Sequence, residues 1–263
     1  MPYQLPAKAG YRLLQLSDCH LLASTDGVYQ QIQPWGHLKQ LLQQLKSEQF
    51  DAVMLTGDLT QDHSLASYQR LAELFADWPS PVLYLPGNHD EPALMAQAFA
   101  AAPFVAATEI CSEHWRWLLL NTKGETPAGY FPVERCATLA QQLGGDSRPV
   151  WLFCHHQPLP IGASIDGHGL QQPELLLSTL ARFSQVKGLA HGHCHYHYQR
   201  RYVYPQQQGS LQLVGCPATS VQFCLTPDWQ TEDQGPQGLS WYFSKDGQVS
   251  WQRLTLHSTE LVV

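Results

Sequence analysis

Residues 51–64 read DAVMLTGDLTQDHS, and the way this stretch is parsed sets the parse of the whole chain. The apolar run over 51–56 is too short for a helix of ordinary length and suits a buried strand. It stops at Gly57-Asp58, a pair that turns the backbone and leaves a carboxylate at the strand end. Helical spacing then takes over through 64–78, SLASYQRLAELFADW. The cadence of strand, polar turn and helix repeats outward on both sides. Upstream, YRLLQLS (11–17) predicts a strand, and Leu38, Leu41, Leu42 and Leu45 form an i, i+3, i+4, i+7 stripe within 35–48. Downstream, PVLYLP (81–86) predicts a strand and 91–102 a helix, with Pro92 where the first helical turn tolerates it. HWRWLLLNT (114–122), PVWLFC (149–154) and VKGLA (186–190) complete the buried-looking strands, with helical segments near 132–143 and 172–183. From about 200 to 263 the pattern is richer in strands, with an Asp246-Gly247 hairpin signal. The expectation is an α/β protein, a single domain over 1–263, with sheet at the centre and helices on both sides.

Composition narrows the function. Hydrophobic residues make up 44% of the chain and charged residues 14%, which supplies a large core and argues against disorder. A formal net charge of −7 argues against a stable nucleic-acid partner, because neutralising phosphates takes clustered Lys and Arg. Seven cysteines without a CxxC pair argue against a disulfide framework. No signal peptide or membrane span is legible, so a cytoplasmic location is expected, with no membrane partner.

The chemistry gathers where the predicted strands end. The first ends in SDCHL, giving Asp18 and His20; the second in TGDLTQD, giving Asp58 and Asp62. The third ends in PGNHDE, giving Asn88, His89 and Asp90. Later strands end in FCHHQPLP, giving His155 and His156, and in AHGHCHYH, giving His191, His193, His195 and His197. In open α/β sheets the ligand site lies beyond the carboxyl ends of the strands, so residues distant in sequence face one crevice. Asp, Asn and His supply oxygen and nitrogen donors suited to Mn, Fe or Zn. Two Asp, one Asn and four His exceed the four ligands of one tetrahedral zinc and suit two metals sharing a carboxylate.

The order Asp-x-His, Gly-Asp, Gly-Asn-His-Asp, His-His and Gly-His-x-His resembles the calcineurin-like metallophosphoesterase superfamily over nearly the whole chain. GDLTQDHS, LPGNHD, HHQPLPIG and PATSVQF resemble, more narrowly, the bacterial 3′,5′-cyclic-AMP phosphodiesterases of class III. The resemblance implies a metallophosphoesterase fold, with central sheets arranged as a sandwich between helices. It implies two divalent or trivalent metal ions, Fe and/or Mn foremost, with Zn or Co as alternatives. Asp18, His20 and His195 would hold one ion, Asn88, His155 and His193 the other, and Asp58 would bridge them. It further implies hydrolysis of 3′,5′-cyclic AMP to 5′-AMP by attack of a metal-bound hydroxide. His89 would meet the phosphate or protonate the leaving oxygen, Asp90 would orient His89, and Asn88 and His195 would also contact substrate. Two departures are visible: Asp62 follows Asp58 by four residues where many relatives have three, and HHQP stands where many read His-His-Pro-Pro.

Other reactions on the same scaffold stay open: 2′,3′-cyclic nucleotide phosphodiesterase, glycerophosphodiesterase, nucleotide pyrophosphatase, phosphomonoesterase and nuclease. A catalytically dead nucleotide sensor is the reading from a different class. Asp62, His156 and His191 are expected to support ligands from behind. His168 and Asp166 belong to a loop over the site, and His197 to its rim or to solvent. Segments 216–223 and 164–172 are the expected specificity elements, with Gln171-Gln172 as candidate contacts to a base. Cys19 and Cys194 should point away from the ligands by strand alternation. Trp115, Trp117, Trp241 and Trp251 suit core positions, and His37, His114 and His257 ordinary surface or core ones. A monomer or homodimer is expected.

Overall fold

A computed structural model describes residues 2–256 and 258–262, the last five by their backbone; His257 lies outside the described residues. Two seven-stranded sheets face each other. The first carries, in order, Ser258–Val262, Val249–Thr255, Gly238–Ser244, Gly10–Leu16, Ala52–Thr56, Val82–Leu85 and Phe104–Val105. The second carries Tyr3–Gln4, Glu109–Cys111, Arg116–Leu119, Val150–Cys154, Val186–His191, Ser210–Gly215 and Tyr198–Val203. The centre is therefore a pair of sheets with helices outside, not one sheet between helix layers.

Period-two alternation explains why every central strand is buried on both faces. In Gly10–Leu16, Leu13 enters the core between the sheets while Leu14 and Leu16 meet helices. In Ala52–Thr56, Met54 faces the opposite sheet while Val53 and Leu55 turn to the helices. In Val150–Cys154, Trp151 and Phe153 point inward and Leu152 and Cys154 outward. Trp115, Trp117, Trp241 and Trp251 all join the inter-sheet core, where Trp151 and Trp241 pack with ring centroids 5.0 Å apart. Helices Pro34–Leu45, Leu65–Phe75 and Pro92–Ala98 cover the first sheet, and Val133–Gly144 and Pro173–Leu180 cover the second. Their starts follow local rules: Pro34, Pro92 and Pro173 occupy first turns, and the Ser64 hydroxyl accepts from the Ser67 N–H.

The strand-rich C-terminal quarter adds strands to both sheets. Gly238–Ser244 pairs antiparallel with Gly10–Leu16, and Tyr198–Val203 with Ser210–Gly215. Parallel pairs Gly10–Leu16 with Ala52–Thr56, Ala52–Thr56 with Val82–Leu85, and Val150–Cys154 with Val186–His191 align carboxyl ends in each sheet. The loops carrying the polar clusters leave from those ends.

Candidate active site

Asp18, His20, Asp58, Asn88, His155, His193 and His195 converge between the two sheets. Six of them, Asn88 apart, are buried. Two pairs of loops are stitched together to place them. The Asp18 N–H donates to the Gly57 carbonyl (2.9 Å) and the His20 N–H to the Asp58 carbonyl (3.0 Å), locking the first two strand ends together. The His193 N–H donates to the Asp18 carboxylate (3.1 Å), tying the second sheet to the first. Asp18, His20, Asp58, His193 and His195 all adopt positive φ, between 47° and 66°. Such left-handed backbone costs about 1–3 kcal/mol per residue and persists where surrounding structure over-determines it, most often at functional sites. Gly57 (φ +91°) cannot be replaced cheaply: a Cβ there would lie 2.5 Å from His155 Nδ1 and 2.6 Å from the Gly87 nitrogen.

The protons of the imidazoles decide what the cluster can hold. His155 Nδ1 faces the Thr56 carbonyl (2.8 Å), His195 Nδ1 the Val221 carbonyl (2.7 Å) and His193 Nε2 the His168 carbonyl (3.1 Å). Carbonyls only accept, so each of these nitrogens carries the ring proton. His20 Nδ1 likewise faces the Gln61 side-chain oxygen at 2.8 Å. The other nitrogen of each neutral ring is then a bare lone pair, and these lone pairs point at one another. His20 Nε2 and His195 Nε2 are 3.1 Å apart, as are His193 Nδ1 and His155 Nε2. Asp18 Oδ1 lies 3.4 Å from His195 Nε2, and Asp58 Oδ2 lies 3.3 Å from His155 Nε2 and 3.8 Å from His20 Nε2. Asn88 Oδ1 is 3.2 Å from His155 Nε2. Lone pairs and carboxylates at such range repel unless positive charge sits among them.

Titration behaviour agrees. Burial pulls the His155 imidazole down, yet the Asp58 and Asp18 carboxylates outweigh it and hold it up at about 9. Burial pushes the Asp58 carboxyl up, but the His155 imidazole dominates and keeps it well below the carboxylate range. Burial pushes His20 down to about 3, so it is neutral and free to ligate. A proton on His155 thus does for one pair what cations do for the whole set. Donor atoms of Asp18, His20 and His195, and of Asp18, Asp58 and His155, lie within 4.8 Å of one another, close enough to share metal ions. Thiolates are absent from the set: burial pushes Cys19 and Cys194 each up to about 12.

Asp90 differs from its sequence reading. The His89 N–H donates to Asp58 Oδ1 (2.8 Å), and its Nδ1 is the one buried histidine nitrogen among the described residues without a hydrogen-bond partner. Asp90 does not orient it. Its carboxylate instead accepts from the Leu59 N–H (3.0 Å), the Gly87 N–H (2.8 Å) and the Tyr68 hydroxyl (3.1 Å). Asp90 is therefore a clamp joining the Asp58 loop to the Asn88 loop, because three donors already converge on it.

Donor atoms of His155, His156 and His193 also cluster, but both nitrogens of His156 are taken. Its Nε2–H donates to the Pro127 carbonyl (3.2 Å) and its Nδ1 accepts from the Thr122 hydroxyl (2.8 Å). His191 is similarly satisfied by the Gly192 carbonyl and the Tyr198 hydroxyl. Asp62 accepts from the N–H groups of Ala23 and Ser64, tying the loop after the second strand to the loop after the first. His197 bonds the Gly215 carbonyl (2.9 Å). The strand ends at His191, so His193 and His195 lie in a turning loop; Cys194 points away because of that turn and not by strand alternation. Gln171 lines a different groove beside Asn121 and Arg135, and neither it nor Gln172 lines the cleft.

Above the donor cluster opens a cleft of about 250 Å³ lined by His20, Asp58, Asn88, His89, His193 and His195, with Tyr29, Ile165, His168, Phe223 and Trp229 higher up. Several of its supports escape a reading of ligand types. Tyr29 stacks on His20 (4.6 Å, 19°), Phe223 on His195 (4.1 Å, 9°) and His63 on His89 (5.6 Å, 16°). Gln61 and His63 stand inside GDLTQDHS and could have been suspected there. Tyr29 and Trp229 sit in loops with no ligand-type neighbour to flag them.

With the geometry in view, the chain's relationships are clear. Residues 11–197 match the calcineurin-like phosphoesterases, and the chain belongs to that family, whose members bind two metal ions. It is 37% identical over 232 residues to a probable cyclic nucleotide phosphodiesterase of Pseudoalteromonas sp., covering 87% of this chain and 86% of that one. It is 32% identical over 243 residues to the 3′,5′-cyclic adenosine monophosphate phosphodiesterase CpdA of Escherichia coli K12, covering 86% of each chain. In fold it resembles a dimetal phosphatase from Danio rerio, with a TM-score of 0.67 at 14% identity over 96% of this chain and 98% of that one. The chain is a hydrolase of this family. Among the described residues, no helix is long and apolar enough to cross a membrane.

Proposed function

We propose that the protein is a dinuclear-metal phosphodiesterase that hydrolyses 3′,5′-cyclic AMP to 5′-AMP. The observation that carries this reading is the convergence of four imidazole lone pairs, two carboxylates and the Asn88 amide oxygen on the floor of one cleft. Asp18, His20 and His195 would hold one ion, Asn88, His155 and His193 the other, and Asp58 would be shared between them. When bound, two such ions supply Lewis acidity and lower the pKa of water toward neutrality. An oxygen, nitrogen donor set without thiolate suits Fe and Mn.

The protein's own groups do the rest. His89, with its unpartnered Nδ1 at the cleft, would in its protonated form give that proton to the 3′ oxygen as the P–O3′ bond breaks, while a water oxygen forms the new P–O bond and its proton passes to solvent. Asn88 and His195, which line the cleft, would face the phosphoryl oxygens. Asp90 holds the loops bearing Asp58 and Asn88 in register through its bonds to Leu59 and Gly87. The Lys123 ammonium donates to the Asn88 carbonyl (3.0 Å) and steadies the same loop. All seven cysteines are free, which suits a reducing cytoplasm.

The test is turnover by protein loaded with Mn or Fe on 3′,5′-cyclic AMP, 2′,3′-cyclic AMP and a linear diester. The reading expects the highest kcat/KM on 3′,5′-cyclic AMP. A preference for either other substrate would reassign the reaction within the family. No hydrolysis of any of them would point to a nucleotide sensor.

A further inference from the structure

Trp229 is the one exposed tryptophan among the described residues, with 56% of its surface accessible, while Trp115, Trp117, Trp151, Trp241 and Trp251 are all buried in the core. It stands at the mouth of the cleft whose floor holds the donor cluster. Its ring meets Phe223 edge-on (5.8 Å, 83°), and Phe223 lies flat on His195 (4.1 Å, 9°). On its other side it tilts over the His168 ring (5.6 Å, 40°), and the His168 carbonyl takes the His193 proton at 3.1 Å. The indole is thus anchored to both halves of the donor cluster, by one intervening residue each. A large apolar ring left in water forgoes the gain of burial. Held in fixed geometry over a phosphate-chemistry site, it is placed to receive a flat apolar group attached to that phosphate.

We propose that Trp229, flanked by His168 and Phe223, is a base-stacking subsite that makes the enzyme select nucleoside phosphodiesters over diesters without an aromatic group. The inference rests on the phosphodiesterase reading above and specifies its substrate class. Stacking suits this task because every nucleobase offers a π-face, so one aromatic wall recognises a base without reading its edge. Phe223 has one face on a ligand imidazole, so it is a positioning residue for His195 and Trp229 is the ring that meets the base.

The test compares wild type, Trp229→Ala and Trp229→Phe, all Mn-loaded, on 3′,5′-cyclic AMP and on its abasic counterpart, a methyl riboside 3,5-cyclic phosphate. For Trp229→Ala the expected loss in kcat/KM on cyclic AMP is about tenfold or more. The loss falls mainly in KM, with turnover of the abasic diester unchanged and Trp229→Phe retaining most of the activity. Binding supplies a second measurement: 5′-AMP, but not ribose 5-phosphate, should quench a tryptophan emission component that Trp229→Phe removes. Equal losses on both substrates, or no loss on cyclic AMP, would overturn the subsite. If wild type hydrolyses neither cyclic phosphate, the phosphodiesterase reading fails. Quenching by 5′-AMP would then still uphold the stacking wall, and its absence would reject it.

Discussion

At the floor of the cleft, Asp18, Asp58 and His193 are almost completely buried, sit in left-handed backbone and are tied by hydrogen bonds to a neighbouring loop. At its mouth, Trp229 is mostly exposed and is held by ring contacts to Phe223 and His168. The floor hangs from the carboxyl ends of paired parallel strands, so its atoms are fixed to the framework of both sheets. The mouth is carried by the 3-10 helix Ser164–His168 and by residues 222–232, two short strands and the turn between them. A rigid floor suits chemistry that needs donors fixed in advance. A rim of loops can change its lining without disturbing that floor, which is how one scaffold serves several substrates.

Mutation can break this contrast. The largest effect is expected for Asp58→Asn, which removes the charge shared by both halves of the donor cluster but keeps a side chain tolerant of φ near 51°. Metal content per chain should fall and turnover drop by at least about 10³-fold; two full ions and normal turnover would dismiss Asp58 as the bridge. Next comes His89→Ala, for which metal analysis should still find both ions while kcat falls by about 10²–10⁴-fold. Because donor atoms of His20, Asp58 and His89 also lie within 4.8 Å of one another, loss of metal in that variant would make His89 a ligand instead of a proton donor.

Gln61→Ala sharpens the contrast from behind the floor. Without its side-chain oxygen the His20 Nδ1 proton loses its partner, and metal affinity measured by chelator competition should weaken about 10- to 100-fold. Unchanged affinity would show that the Tyr29 stack alone orients His20. The smallest effect is expected for Gln171→Ala, which lies in a separate groove and should leave kcat/KM on cyclic AMP as in wild type. A marked loss there would extend the substrate subsite well beyond the rim.

Much of the floor is legible in the sequence. Polar clusters at five predicted strand ends marked Asp18, Asp58, Asn88, His155 and His193, because parallel strands align their carboxyl ends and side-chain types reveal donor chemistry. Resemblance then divided them between two ions. The role of Asp90 was not legible, since its three donors come from Leu59, Gly87 and Tyr68, on separate segments. Nor was the path of the histidine run: alternating residues suggested a strand, yet the chain turns after His191. Tyr29 and Trp229 are not legible, because an aromatic in a loop carries no pattern of its own, whereas His63 lies inside GDLTQDHS and could be suspected there.

By itself the sequence determined the α/β cadence, the two-faced burial of the central strands and the identity of the donor atoms, all of which follow from local periodicity and residue chemistry. The paired sheets were implied by the family resemblance and not by periodicity; only the tertiary structure decided which ring nitrogens are bare and which rings cover the donor residues. Those depend on groups far apart in the chain meeting at specific distances: Thr56 with His155, Val221 with His195, Phe223 with His195. Whether a histidine presents a proton or a lone pair is settled by the partner of its other nitrogen, and that partner is chosen by the fold.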